Sequence, residues 1–303
     1  ALPISEYLWE NTQKVQLPGN KNGKKQQYAH DLFTENSLEF IERSRDESFF
    51  LYLAYTIPHI ALDVPEDSLS RYKGKFPETP YKHKYKDFYS QKTPRAAYAA
   101  MITRMDKDVG RIVDRISQLG LDEDTLIIFT SDNGPEKMGG TDPAFFNSSG
   151  PLRGIKRDLY EGGIRVPFIA RWKNKIEPGS VTGHVSAFWD LLPTACRLAD
   201  IKPPADTDGI SYLPTLLGKP QMQKKHEFLY WEFHEGDSTV QAARMAKFKA
   251  IRKSPSEPVE LYNLNKDIGE QNNIADKHPE IAKKMTEYLD NARTESRYWP
   301  LKK

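Results

Sequence analysis

The chain has 303 residues, 38% hydrophobic and 28% charged, with Lys plus Arg at 44 against Asp plus Glu at 42 and a net charge of +2. That balance builds a buried core and excludes a disordered polyelectrolyte, and it gives no electrostatic reason to expect nucleic acid or an acidic membrane as partner. A single cysteine, Cys196, excludes an intramolecular disulfide and a cysteine-held zinc.

In chain order, a short amphipathic helix carrying Leu38, Phe40 and Ile41 is expected to start near Asp31 or Thr34, both plausible caps. Residues 49–55 (FFLYLAY) form a continuous apolar run that reads as a buried strand, far short of the roughly 20 residues that span a bilayer. Pro58 and Pro65 bracket a loop, and residues 73–93 read as a surface excursion rich in Lys, Tyr and Pro. Pro94 opens the strongest helix. Met101, Ile102, Met105, Val109, Ile112, Val113, Ile116 and Leu119 fall at three- and four-residue steps, and Gly120 ends it.

Residues 126–130 read as a second buried strand running into Ser131-Asp132-Asn133-Gly134. A long Gly-rich loop leads to a third strand at 166–172 and a helix at 187–199. This alternation predicts an α/β domain with a mostly parallel sheet flanked by helices, over residues 1–204. After Pro204 the runs 227–231, 241–252 and 260–264 lack long helices between them, and a helix closes the chain at about 279–294. Residues 205–303 are therefore expected to form a small α+β subdomain, an antiparallel sheet plus a terminal helix.

Parallel α/β sheets place ligands outside the carboxyl ends of their strands. His59, Asp132 and Asn133 all follow expected strand ends. Asp132 and Asn133 offer a carboxylate and an amide carbonyl, hard oxygen ligands suited to Ca²⁺ or Mg²⁺, though Asp-Asn-Gly is also a common turn. Lys156, in Gly154-Ile155-Lys156-Arg157, is a point charge on a flexible loop that suits an anion, as would any solvated basic loop. His59, one of seven histidines, could protonate a leaving group or be an ordinary loop residue. Trp231, Phe233, His234 and Glu235 form an aromatic and polar cluster suited to a sugar ring, or alternatively core aromatics beside a solvated turn.

Taken in order, Pro58-His59, Ser131-Asp132-Asn133-Gly134, Leu152-Arg153-Gly154-Ile155-Lys156 and Tyr160-Glu161-Gly162-Gly163-Ile164-Arg165-Val166-Pro167 resemble the type I sulfatases, the arylsulfatase family of the alkaline-phosphatase-like superfamily. Asp190-Leu191-Leu192-Pro193-Thr194 and Glu260-Leu261-Tyr262-Asn263-Leu264 extend the match over nearly the whole chain. The resemblance implies an alkaline-phosphatase-like fold and calcium-dependent hydrolysis of sulfate esters of carbohydrates or aryl alcohols. It also implies a formylglycine nucleophile made within Cys/Ser-x-Pro-x-Arg. Asp132 and Asn133 would be calcium ligands. Lys156 would contact sulfate and the bridging oxygen, and His59 the sulfate or the leaving group. A periplasmic or secreted location also follows from the resemblance alone.

The family's formylglycine motif lies upstream of its Pro-His strand. The one formal hit here, Ser149-Gly150-Pro151-Leu152-Arg153, overlaps the Lys156 loop, and Cys196 lacks the following proline. The expectation is therefore a C-terminal sulfatase portion that holds half a site and has no turnover alone. A phosphodiesterase of the same superfamily and a non-catalytic anion- or carbohydrate-binding protein are the alternatives.

Overall fold

The computed structural model describes residues 3–83, 90–234 and 238–302. The chain forms two compact units, one of residues 1–125 with 136–146, the other of 126–135 with 147–303.

The first unit opens with an antiparallel hairpin, β1 (Tyr7–Glu10) and β2 (Gln13–Gln16), turning at Asn11 in the left-handed region. Helices α1 (Ala29–Arg43), the one-turn α2 (Glu66–Leu69) and α3 (Pro94–Gln118) follow. Of the expected α3 stripe, Met101, Ile112 and Ile116 are buried while Ile102 is exposed, and Met101 packs with Ala97 and Ala100 against Ile57, Leu62 and Val64. Helix α1 begins one turn earlier than the expected caps. Tyr28 precedes it without a side-chain cap, and Asp31 and Thr34 have other partners: Asp31 takes a two-pronged ion pair from Arg104 at 2.6 and 2.7 Å, and Thr34 Oγ1 donates to His30 O.

Residues 49–55 are extended but are not a ladder strand. Their side chains alternate as period two requires: Leu51 and Leu53 are half-buried beside Phe33 and Phe40 of α1, while Phe50 and Tyr52 are exposed at 70% and 72%. A strand exists only through a hydrogen-bonded neighbour, and among the described residues none pairs with this run.

In the second unit, β3 (Ile127–Thr130) pairs with β4 (Phe168–Arg171) in antiparallel register, Ile127 opposite Arg171 and Thr130 opposite Phe168. The sequence reading placed these strands parallel. Parallel neighbours need a crossover long enough to return the chain to the starting edge, usually a helix. Here the intervening loop holds only the four-residue helix α4 (Glu161–Ile164), and it comes back beside the strand end it left. Thr130 Oγ1 donates to Pro167 O and Gly134 N to Gly163 O, so β4 enters where β3 stops.

A 3₁₀ turn and α5 (Leu191–Leu198), then α6 (Leu213–Leu216), lead to a four-stranded antiparallel sheet of β5 (Leu229–Phe233), β6 (Val240–Met245), β7 (Phe248–Arg252) and β8 (Glu260–Asn263), in that order. Both faces are buried. Ala243, Ala250 and Leu261 pack with Met285 and Leu289 of the terminal helix α7 (Pro279–Asn291), while Ala242, Ile251 and Tyr262 pack with Leu159. Adjacent apolar pairs such as Ala242-Ala243 are the sequence mark of a strand covered on both sides. The run read as one strand over 241–252 is a hairpin, turned by Ala246 in the left-handed region.

Candidate active site

β3 delivers Asp132 and Asn133 at its carboxyl end. Ser131 Oγ donates to Asn133 O (3.1 Å) and Asn133 Nδ2 to Gly134 O (2.9 Å), which leaves the Asn133 amide oxygen available to a cation. Asp132 is exposed. Lys156 is carried on a tight turn in which Ile155 N donates to Asp158 Oδ2 and Asp158 N to Ile155 O, both at 2.9 Å.

Backbone bonds zip these two loops together. Lys156 N donates to Pro135 O (2.9 Å), Gly134 N to Gly163 O (2.9 Å) and Gly162 N to Arg153 O (2.6 Å). The approach is too close for a side chain: a Cβ on Gly134 would lie 1.9 Å from Gly162 O, and one on Gly162 would lie 2.2 Å from Gly154 O. The glycines of this loop are therefore what let Lys156 be held beside Asp132 and Asn133.

The zipped loops are anchored by a buried charge cluster. Lys249 of β7, fully buried, reaches Glu161 Oε1 at 2.9 Å and Glu270 Oε1 at 3.1 Å. Glu270 Oε2 accepts from Glu161 N (2.7 Å), and Arg244 Nη1 donates to Glu161 Oε2 (3.3 Å). Burial raises the Glu270 carboxyl above its ordinary range, an effect that Lys249 only partly opposes. Arg244 is lowered by its own burial, with Glu161 opposing.

Asp132, Asn133, Lys156 and His234 all line one cavity of about 880 Å³ within the second unit. Arg157, Arg165 and Arg244 also line it, the last two paired with Glu161 at 3.7 and 3.3 Å, and Trp189, Trp231 and Trp299 give it an apolar side. His234 is 9% exposed, its ring stacked on Trp299 at 3.7 Å between centroids and its Nδ1 3.1 Å from Thr239 Oγ1. Trp231 meets Trp189 at 5.9 Å, and Phe233 packs against the inner face of the sheet. Glu235 lies outside the described residues. His59 belongs to the first unit, exposed, with Nδ1 3.0 Å from Ile60 O.

Sequence reasoning missed His184, Arg165, Arg244 and Trp299. His184 follows Gly183 after β4 and lines the cavity; burial lowers its imidazole below the ordinary 6.5, with Asp190 opposing. Its only sequence signal is a histidine shortly after a strand.

The donors at Asp132 and Asn133 fit a hard cation such as calcium in kind. They are few in number. Among the described residues, no group of three or more His, Cys, Asp or Glu is placed to hold a metal ion. A calcium ion there would draw most of its roughly 6–8 oxygens from other sources. Ser149 is not a free nucleophile: its Oγ donates to Gly154 O (2.9 Å). The motif's Arg153 donates to Glu270 O (2.7 Å) and lies 3.8 Å over the Tyr160 ring. Neither Ser149 nor Cys196 lines the cavity.

Helices beside sheets form a scaffold of the alkaline-phosphatase-like kind, and within it the Lys156 loop and the Asp132–Asn133 pair line the same cavity. The Sulfatase family model matches residues 3–201, and that of N-sulphoglucosamine sulphohydrolase, C-terminal, matches 155–295. The chain belongs to the sulfatase family. It is 31% identical to human arylsulfatase A over 299 residues, covering 90% of the chain and 52% of that protein. It is 28% identical to N-acetylgalactosamine-6-O-sulfatase of Bacteroides thetaiotaomicron over 286 residues, 87% of the chain and 51% of the relative. The chain thus spans about half the length of these curated relatives. Among solved structures, Ps i-CgsB superposes with a TM-score of 0.73 at 26% identity, over 89% of this chain and 56% of that one. The same protein has been crystallised with k-i-k-neocarrahexaose.

Proposed function

We propose that the cavity is the sulfate- and cation-binding part of a site for hydrolysis of carbohydrate sulfate esters. The observation that carries the reading is that Lys156, Asp132 and Asn133 line one cavity, with their loops joined by the Gly134–Gly163 and Pro135–Lys156 backbone bonds. Lys156 attracts the sulfate oxygens as a point charge, with Arg165 and Arg157 adding to the field. The exposed Asp132 carboxylate and the Asn133 amide oxygen hold calcium, which when bound neutralises charge on the ester oxygens. His59 is assigned to the sulfate or to the leaving oxygen, on the family motif alone. Carbohydrate is preferred to a simple aryl group because of the tryptophan-rich wall, and because the proteins named above include an N-acetylgalactosamine-6-O-sulfatase and one crystallised with k-i-k-neocarrahexaose.

The chain alone is proposed to lack turnover. Hydrolysis needs an activated nucleophile, and the engaged Ser149 hydroxyl and the half-buried Cys196 supply none to the cavity. The test is incubation of the 303-residue chain with a chromogenic aryl sulfate and with sulfated glycans, with and without Ca²⁺. No release above background is expected. Turnover that disappears in Ser149→Ala would overturn this part of the reading.

A further inference from the structure

The C-terminal tail contributes a wall to the cavity that the family motifs do not account for. After α7, Arg293 turns the chain: its Nε donates to Glu232 Oε2 (3.0 Å), its Nη1 pairs with Glu295 (2.6 Å), and a further guanidinium nitrogen donates to Trp299 O. At the other end, Thr239 N donates to Lys302 O (3.0 Å) and Lys302 N donates back to Thr239 Oγ1 (2.9 Å). Thr239 is fully buried just before β6. The tail is thus clasped on both sides of Trp299.

Between these clasps Trp299 is held with one ring face on His234, at 3.7 Å and an interplanar angle of 30°. It remains 45% exposed, while His234 beneath it is only 9% exposed. A clasped aromatic ring with one face backed and the rest open, in the same cavity as a cationic anion site, has the form of a stacking platform. Ligand pockets that fix orientation combine such apolar faces with a few polar groups, over about 300–1,000 Å³. The apolar C–H face of a pyranose suits an indole, and its sulfate would reach the Lys156 side of the same space.

Resting on the function proposed above, we infer that Trp299 is the specificity-determining platform for the sugar ring of a sulfated carbohydrate, and that His234 is a positioning residue backing the indole. This assigns the sugar contact to the tail and not to the His234 cluster.

The experiment measures binding to the full chain by calorimetry, with inorganic sulfate, glucose 6-sulfate and unsulfated glucose as probes. The variants are Trp299→Ala, Trp299→Phe, His234→Ala and Lys156→Ala, each checked for unchanged thermal unfolding. Glucose 6-sulfate should bind more tightly than inorganic sulfate. Trp299→Ala should weaken glucose 6-sulfate by about tenfold, the scale of one well-placed aromatic contact, and leave inorganic sulfate unchanged. Trp299→Phe should recover most of the loss, and His234→Ala should weaken the sugar sulfate alone. Equal loss for both anions, or none for either, would overturn the platform while Lys156-dependent sulfate binding kept the underlying reading intact. Absence of Lys156-dependent sulfate binding in the parent chain would overturn both.

Discussion

Replacing Lys249 with Met should unlatch the loop that carries Lys156. The ammonium of Lys249 is fully buried between Glu161 and Glu270, at 2.9 and 3.1 Å, and both carboxylates are at most 2% exposed. Methionine matches the stem of the side chain but leaves two buried acids without their shared cation. Breaking a buried pair in this way costs about 3–5 kcal/mol. Arg244 still reaches Glu161 at 3.3 Å, and Glu270, already raised by burial, can take up a proton. Both reliefs place the expected loss at the low end, about 3 kcal/mol at pH 7, or roughly 6–12 °C in Tm for a unit of this size. The sign of the pH dependence follows from Glu270. A carboxyl raised in the folded state binds its proton more tightly there than in the unfolded chain, so acidification favours folding through it. The deficit of Lys249→Met should therefore shrink as pH falls from 7 toward the Glu270 pKa. Urea unfolding followed by circular dichroism at several pH values measures it. A loss under about 1 kcal/mol at pH 7, or a deficit that grows on acidification, would refute the reasoning.

Two further outcomes are expected. Gly134→Ala would set a Cβ 1.9 Å from Gly162 O, so sulfate affinity should fall at least as far as in Lys156→Ala, with the loss of protection of the Gly134 and Lys156 amides read by hydrogen exchange; unchanged protection would contradict the zipped-loop account. Glu260 is pushed up by burial, but hydrogen bonds from Tyr160 (2.6 Å), Tyr262 (2.8 Å) and the ion pair with Lys253 (3.2 Å) outweigh this and hold it below its ordinary 4.5. Its contribution is present above that value and lost as pH falls through the lowered one, so Glu260→Gln should flatten the acid limb of the stability curve, and an unaltered limb would count against it.

What the sequence revealed depended on whether the signal was local. The α3 stripe and the Gly-flanked Lys156 loop could be read directly, because helical periodicity and glycine act over a few residues. Residues 49–55 could not, since an apolar run marks a strand only if a partner is present to pair with it. The β3–β4 direction depended on how the Gly-rich loop returns, a matter of the Gly134–Gly163 and Thr130–Pro167 bonds across more than 25 residues. The hairpin at Ala246 carried no Gly, Asn or Pro to announce it. Lys249 looked like any strand lysine, because burial among two distant glutamates is written nowhere near it. Trp299 and His184 lacked a motif, and only the folded cavity brings them to Lys156.

Lys156 and the Asp132–Asn133 pair are proposed to bind one sulfate and one calcium side by side. Calorimetric titration of inorganic sulfate into the chain, with and without millimolar Ca²⁺, tests it most directly. Calcium should be weak on its own, since two side chains supply few of its oxygens, yet it should tighten sulfate. Asp132→Asn should abolish that enhancement, and Lys156→Ala should abolish sulfate binding in either condition. Sulfate affinity indifferent to Lys156, or a calcium enhancement that survives Asp132→Asn, would contradict the account.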